Sequence, residues 1–228
     1  VEQILTEDIQ NQVREVFTQL KEPVEILFFG RQEDCDFCEP ARQLAEEVAG
    51  LSDLLHFSAY DLDADSLKAQ TYQVDKAPGL VIAGREGDRI VDYGVRYAGI
   101  PSGHEFTSLI HDLILVSARD SGLSKQTREL LRKLDRPVTL QVFVTPTCPY
   151  CPRAVVLAHQ MAMESPFIQA EMVEAMEFPE LSQKHGVSGV PQTTINSGAG
   201  TVVGAVPEEY LLAEILRVAN GKPAEERR

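Results

Sequence analysis

At 228 residues the chain is long for one small α/β domain and suits two, because domains usually run ~100 to 150 residues. Acids outnumber bases by 35 to 21, and the formal net charge of -14 repels phosphate backbones and anionic lipid surfaces, excluding nucleic acid and membranes as expected partners. With 43% hydrophobic and 25% charged residues the composition excludes disorder, and no apolar stretch approaches the ~20 residues that span a bilayer, so a soluble cytoplasmic protein is expected.

Thr6 is an N-cap for a first helix that ends before Pro23. An apolar strand, Val24 to Phe29, leads to a Cys-x-x-Cys pair, Cys35 and Cys38, which opens a helix whose inward face is Ala41, Leu44, Ala45 and Val48. A middle strand at Leu55 to Asp61 and a short helix lead to Pro78, followed by an apolar run and the turn signal Gly84-Arg85-Glu86-Gly87-Asp88. A final amphipathic helix closes this half, and Ala118 to Gly122 marks the boundary between a unit of residues 1–118 and one of residues 119–228. Beyond it the order recurs: an N-cap at Ser124, a helix stopping before Pro137, a strand from Val138 to Val144, and the pair Cys148 and Cys151. A strand near Ile168 to Val173, Pro191, a turn at Ser197-Gly198-Ala199-Gly200 and a last amphipathic helix follow, and a solvated tail is expected from Gly221 to Arg228.

The recurrence has a fixed offset. The cysteine pairs lie 113 residues apart, and each proline, Pro78 or Pro191, follows its first cysteine by 43 residues. Ala154, Leu157, Ala158 and Met161 repeat the helix face at the same offset, as Val187 and Ile195 repeat Val74 and Ile82. Any one match is ordinary core patterning; together they mean duplication. The predicted fold is therefore α/β, two tandem units, each a mixed sheet flanked by helices.

All four cysteines sit in the two pairs, an arrangement that points to redox chemistry or metal rather than a crosslinked scaffold. A cysteine at a helix start meets unpaired amide hydrogens and the positive end of the helix dipole, which favour thiolate. Cys35 and Cys148 are thus assigned attack, and Cys38 and Cys151 resolution. Pro149 is expected at the first helical position, with Pro40 and Pro152 also in the first turn. Asp36 beside Cys35 disfavours a neighbouring thiolate, so the first disulfide is expected to be harder to reduce and the second to exchange faster. Phe37 and Tyr150 shape substrate access or pack on the neighbouring loop.

Thr147-Cys148-Pro149-Tyr150-Cys151 resembles the glutaredoxin active site, and Cys-x-x-Cys before a helix resembles the thioredoxin-fold signature. Over essentially its full length the chain resembles the glutaredoxin-like protein disulfide oxidoreductases of archaea and bacteria, which carry two thioredoxin folds in tandem. The resemblance implies reduction, formation or isomerisation of protein disulfides. It further implies cis bonds at Ala77-Pro78 and Val190-Pro191, with the backbone of Ala77 and Val190 pairing with the substrate chain. Expected partners are proteins carrying disulfides or dithiols and an external reductase or oxidant. No glycine pattern cradles a phosphate, so no cofactor is expected.

Three rival readings stand beside this one. Four thiolates could hold a structural zinc, although each pair has its own helix and proline; otherwise no metal is expected. The fold could serve as a chaperone module with little turnover at its cysteines. It could also donate electrons to a peroxidase, as in the tandem thioredoxin-fold segment of peroxiredoxin reductases. His56, His104, His111, His159 and His185 form no ligand-spaced cluster and read as surface or satisfied helix residues. Met161, Met163, Met172 and Met176 read as core rather than a binding surface.

Overall fold

The computed structural model describes residues 3–221, so all but the first residue of the expected tail from Gly221 to Arg228 lies outside the described residues. The first half runs α1 (Glu7–Phe17), β1 (Val24–Gly30), α2 (Cys38–Ala49), β2 (Leu55–Asp61), α3 (Ser66–Thr71), β3 (Gly79–Glu86), β4 (Arg89–Ala98) and α4 (Glu105–Ala118). The second half repeats it as α5 (Lys125–Leu131), β5 (Val138–Val144), α6 (Cys151–Glu164), β6 (Ile168–Glu174), α7 (Pro179–Lys184), β7 (Gln192–Ile195), β8 (Gly200–Val203) and α8 (Glu208–Ala219). Among the described residues no helix is long and apolar enough to cross a membrane.

Local chemistry sets the element ends. The Thr6 hydroxyl accepts the Ile9 amide at 3.4 Å and the Ser124 hydroxyl accepts the Thr127 amide at 3.2 Å, capping α1 and α5 as their residue types predict. β1 is buried along its whole length, which explains its unbroken apolar run. Its one acid, Glu25, is met by Arg85 at 2.7 Å and by the Ser58 hydroxyl at 2.5 Å. The first hairpin turns at Gly87, whose φ of 62° suits glycine, while Gly84 lies within β3 rather than in the turn.

All eight strands form one sheet in the order β2-β1-β3-β4-β6-β5-β7-β8. The two halves share it through parallel pairing of β4 with β6, from Val95↔Ala170 to Ala98↔Val173. No periodicity announces this joint, because β4 reads like any half-buried strand. One continuous core gathers Leu44 of α2, Leu113 of α4, Val155 of α6 and Ile215 of α8, placing these helices on one face. Smaller clusters on the other face pack around Tyr72, just after α3, and Leu181 of α7.

The expected amphipathic helix before the boundary is instead sunk into the joint. α4 buries Glu105, Ser108, Asp112 and Ser117 besides its apolar residues, because α6 packs against it. Asp112 finds partners there: the Tyr97 hydroxyl donates to it, and His159 Nδ1 lies 2.6 Å from the same carboxyl oxygen. His159 Nε2 faces the Arg96 carbonyl at 3.0 Å. Both ring nitrogens thus face oxygen atoms. His159 of the second half and Asp112 of the first thus meet in a buried contact across the joint.

Candidate redox sites

Each cysteine pair sits where a central strand ends and a helix begins. Cys35 and Cys38 close a disulfide with Cα atoms 5.4 Å apart, and Cys148 and Cys151 do the same at 5.5 Å. The second cysteine of each pair opens the helix, α2 or α6, and the first lies in the preceding turn. That turn is held by the Cys38 amide on the Cys35 carbonyl at 3.3 Å, and by the Cys148 amide on the Thr145 carbonyl at 3.1 Å. Pro149 therefore precedes the helix instead of occupying its first position, because the turn needs two residues between the cysteines before helical geometry starts. Pro152 and Pro40 do fall in first turns.

Exposure separates the members of each pair. Cys35 is partly exposed where Cys38 is buried, and Cys148 is 8% exposed against 0% for Cys151. The Arg31 amide donates to Cys38 Sγ at 3.3 Å, so the buried sulfur of the first pair has a backbone partner.

The bonds Ala77-Pro78 and Val190-Pro191 are both cis. Sheet register puts them beside the cysteines: Phe29 pairs with Gly79 and Phe143 with Gln192, so each proline stands at the end of the strand that leads into a cysteine pair. Among the described residues neither Ala77 nor Val190 makes a backbone–backbone hydrogen bond.

The loops differ in charge. Glu33, Asp34, Asp36 and Glu39 surround the first pair, exposed and with no ion partner among the described residues. From Val144 to Met163 the second site has no acid, and Arg153 is exposed in the first turn of α6. Phe37 is 46% exposed and Tyr150 65%, so both loop aromatics reach solvent.

Two acids near the sites carry no sequence signal. Glu105 is buried in the first turn of α4, where an acid normally reads as a solvated partner of the helix dipole. Its Oε2 accepts the Ser108 hydroxyl at 2.6 Å and its Oε1 has no partner. Burial raises its pKa to about 7 against the opposing pull of Ser108 and the His159 charge. The His104 amide just before it donates to the Pro146 carbonyl at 2.9 Å, so α4 starts against the loop of the second pair. Glu177 accepts the Ile100 amide at 2.8 Å, and burial raises it to about 7 as well. Next to Ile100, the Gly99 amide donates to the Pro78 carbonyl at 2.9 Å.

The two pairs are far apart. β1 and β5 stand four places apart in the sheet, about 19 Å at ~4.8 Å per strand. A single zinc with ~2.3 Å bonds to sulfur cannot reach all four thiolates.

Comparison with known proteins agrees with this geometry. The thioredoxin domain family matches residues 138–217. A protein disulfide oxidoreductase from Aeropyrum pernix K1 superposes with a TM-score of 0.89 at 32% identity, covering 97% of this chain and 97% of that one. The C503A mutant of the alkylhydroperoxide reductase AhpF of Enterococcus faecalis superposes at 0.84 with 26% identity, covering 93% of this chain and 100% of that one. An alkyl hydroperoxide reductase of Pseudomonas putida is 26% identical over 222 residues, 97% of this chain. The chain spans about two fifths of the length of the curated relatives it matches over its full extent.

Proposed function

The chain belongs to the protein disulfide oxidoreductase family, and on that premise we propose that it catalyses thiol-disulfide exchange on protein substrates through both cysteine pairs. The observation that carries the reading is the repeated constellation itself: a disulfide at a helix start with a cis proline beside it, twice in one sheet. Two catalytic units, residues 1–118 and 119–228, each supply one.

In each unit the more exposed cysteine, Cys35 or Cys148, attacks a substrate disulfide and forms a mixed disulfide. The buried partner, Cys38 or Cys151, then attacks the enzyme-side sulfur and releases the reduced substrate. Two electrons pass to the substrate, and the enzyme pair is left oxidised; the reverse order forms a substrate disulfide. Ala77 with Pro78 and Val190 with Pro191 receive the substrate main chain as an added strand. Asp36 and Phe37 at one mouth, and Pro149 and Tyr150 at the other, contact the residues flanking its cysteine. An external reductase or oxidant resets each pair, and a cytoplasmic setting fits four cysteines that all belong to redox pairs.

Dithiol-driven reduction of insulin tests the proposal. Wild type is expected to be active, each of Cys35→Ser and Cys148→Ser partly active, and the double variant inactive; an active double variant refutes it. The similarity to alkyl hydroperoxide reductases favours a second reading, electron donation to a peroxidase. Peroxide consumption by a two-cysteine peroxiredoxin, driven by the prereduced chain, separates the two.

A further inference from the structure

Strand direction brings both redox pairs to one edge of the sheet. β1, β2, β4, β5, β6 and β8 run parallel to one another, and β3 and β7 run against them. The C-terminal ends of the six therefore share an edge with the starts of β3 and β7, where the prolines stand. The two pairs stand about 19 Å apart across four strands at ~4.8 Å per strand. Gly99 is tied to Pro78 and His104 to Pro146, and the chain from Gly99 to His104 extends at most ~18 Å at ~3.6 Å per residue. A short stretch of backbone thus links one proline to the loop of the other cysteine pair.

The same edge presents exposed apolar side chains between its charged loop residues. Of the nine large apolar side chains exposed among the described residues, five lie there. Leu67, 79% exposed, follows β2; Phe37, 46%, follows β1; Met176, 75%, follows β6; Tyr150, 65%, follows β5; and Val203, 68%, ends β8. Met176 is expected from sequence to be core, but the turn after β6 carries it outward, whereas Met161 and Met172 are buried. A folded substrate offers little apolar surface to these side chains, and an unfolded chain offers much.

We propose that this edge is a docking surface for one extended apolar segment of an unfolded polypeptide, which brings cysteines of a single substrate to both pairs during one encounter. The proposal rests on the exchange activity proposed above and names its substrate class. With one pair as dithiol and the other as disulfide, such docking permits a redox-neutral rearrangement. The dithiol pair breaks one substrate disulfide, passing it two electrons and two protons and becoming a disulfide. The disulfide pair takes two electrons and two protons from two other substrate thiols, which join, and becomes a dithiol. The substrate keeps its number of disulfides in a new pairing, and the chain stays half-reduced with the roles of its pairs exchanged.

Bivalent capture tests this. The reduced C38S/C151S variant keeps both attacking thiols and cannot resolve mixed disulfides. It is mixed with apolar peptides carrying two thiopyridyl-activated cysteines, separated by about two or about eight residues, with reaches of ~10 Å and ~30 Å. Mass spectrometry is expected to find a one-to-one adduct joined at both Cys35 and Cys148 for the long spacer, and single attachment for the short one. Leu67→Ser with Met176→Ser is expected to lower double capture several-fold while leaving single capture of a small activated thiol unchanged. Single capture at each cysteine with no doubly joined adduct from the long spacer overturns the docking proposal and leaves exchange standing. No capture at either cysteine overturns both.

Discussion

Replacing Glu105 by Gln isolates the energetic cost of holding an acid inside the joint. The side chain is 1% exposed, with one oxygen on Ser108 and the other unpartnered, and burial lifts its pKa from 4.5 to about 7. In the unfolded chain it titrates near the ordinary ~4.3. Between those values the folded protein holds a proton that the unfolded chain has released, so stability falls as pH rises through this window and levels off above it. A rise from 4.5 to about 7, at ~1.4 kcal/mol per pH unit, amounts to ~3 kcal/mol. The amide of Gln keeps the shape and the acceptor for Ser108 without the charge, though its NH₂ group meets no acceptor where Oε1 lay, at a cost of ~1 kcal/mol or more. E105Q is therefore expected to match wild type or fall ~1 kcal/mol below it near pH ~4.5, and to exceed it by about 2 kcal/mol near pH ~8. Urea unfolding of the disulfide-closed protein at a series of pH values measures this directly. Glu177 titrates in the same window but is present in both proteins and cancels. A stability difference that does not change with pH refutes the reasoning.

Other perturbations follow from the same structure. His159→Leu removes a buried hydrogen-bond partner of the Asp112 carboxyl, at an expected cost of ~1 to 3 kcal/mol in urea unfolding; a loss under ~0.5 kcal/mol refutes the role given to that contact. Gly103→Ala puts a Cβ 2.3 Å from the Pro146 carbonyl oxygen at a φ of 59°. It should cost ~1 to 3 kcal/mol and slow exchange at the second pair while sparing the first, as read by thiol alkylation of each reduced site. Asp36→Asn removes the acid beside Cys35 and is expected to speed iodoacetamide alkylation of that cysteine about two- to five-fold at low ionic strength, with the gain lost at high salt. Separate midpoint potentials should show the first disulfide as the harder one to reduce; the opposite order rejects the role given to Asp36 and its acidic neighbours.

What the sequence reveals and what it hides divide along physical lines. Helix caps at Thr6 and Ser124, the strand spans, and the cysteine-to-proline spacing are local or repeated signals, and the structure carries each of them. The duplicated helix face is buried as read at Ala41, Leu44, Ala45 and Val48, and at Ala154, Ala158 and Met161, with Leu157 half-buried. The fused sheet is illegible because pairing of β4 with β6 involves four residue pairs separated by about 75 positions along the chain, a non-local match with no periodic trace. Glu105 and Asp112 look like solvated helix residues for the same reason: only the packing of α6 on α4 buries them. Pro149 slips ahead of the helix because the turn closing the disulfide consumes the residues between the cysteines, a geometric demand that residue preferences do not encode.

The direction of the β4–β6 pairing decides how the two sites face. Within each half the outer strands run parallel to the strand that carries the cysteines, so a parallel joint translates one half along the sheet and keeps both redox ends together. An antiparallel joint would turn one of them to the opposite edge. The pairing also falls at the redox end of β4, from Val95 to Ala98, where Val95, Tyr97 and Ala98 are at most 1% exposed, and the next residue, Gly99, is already tied to Pro78. The distance between the pairs is therefore fixed by sheet spacing and a buried ladder beside them rather than by a flexible linker. Weakening that ladder, for example by Tyr97→Pro, should disturb both sites at once, whereas the same change in the solvent-facing start of β4 should leave them working.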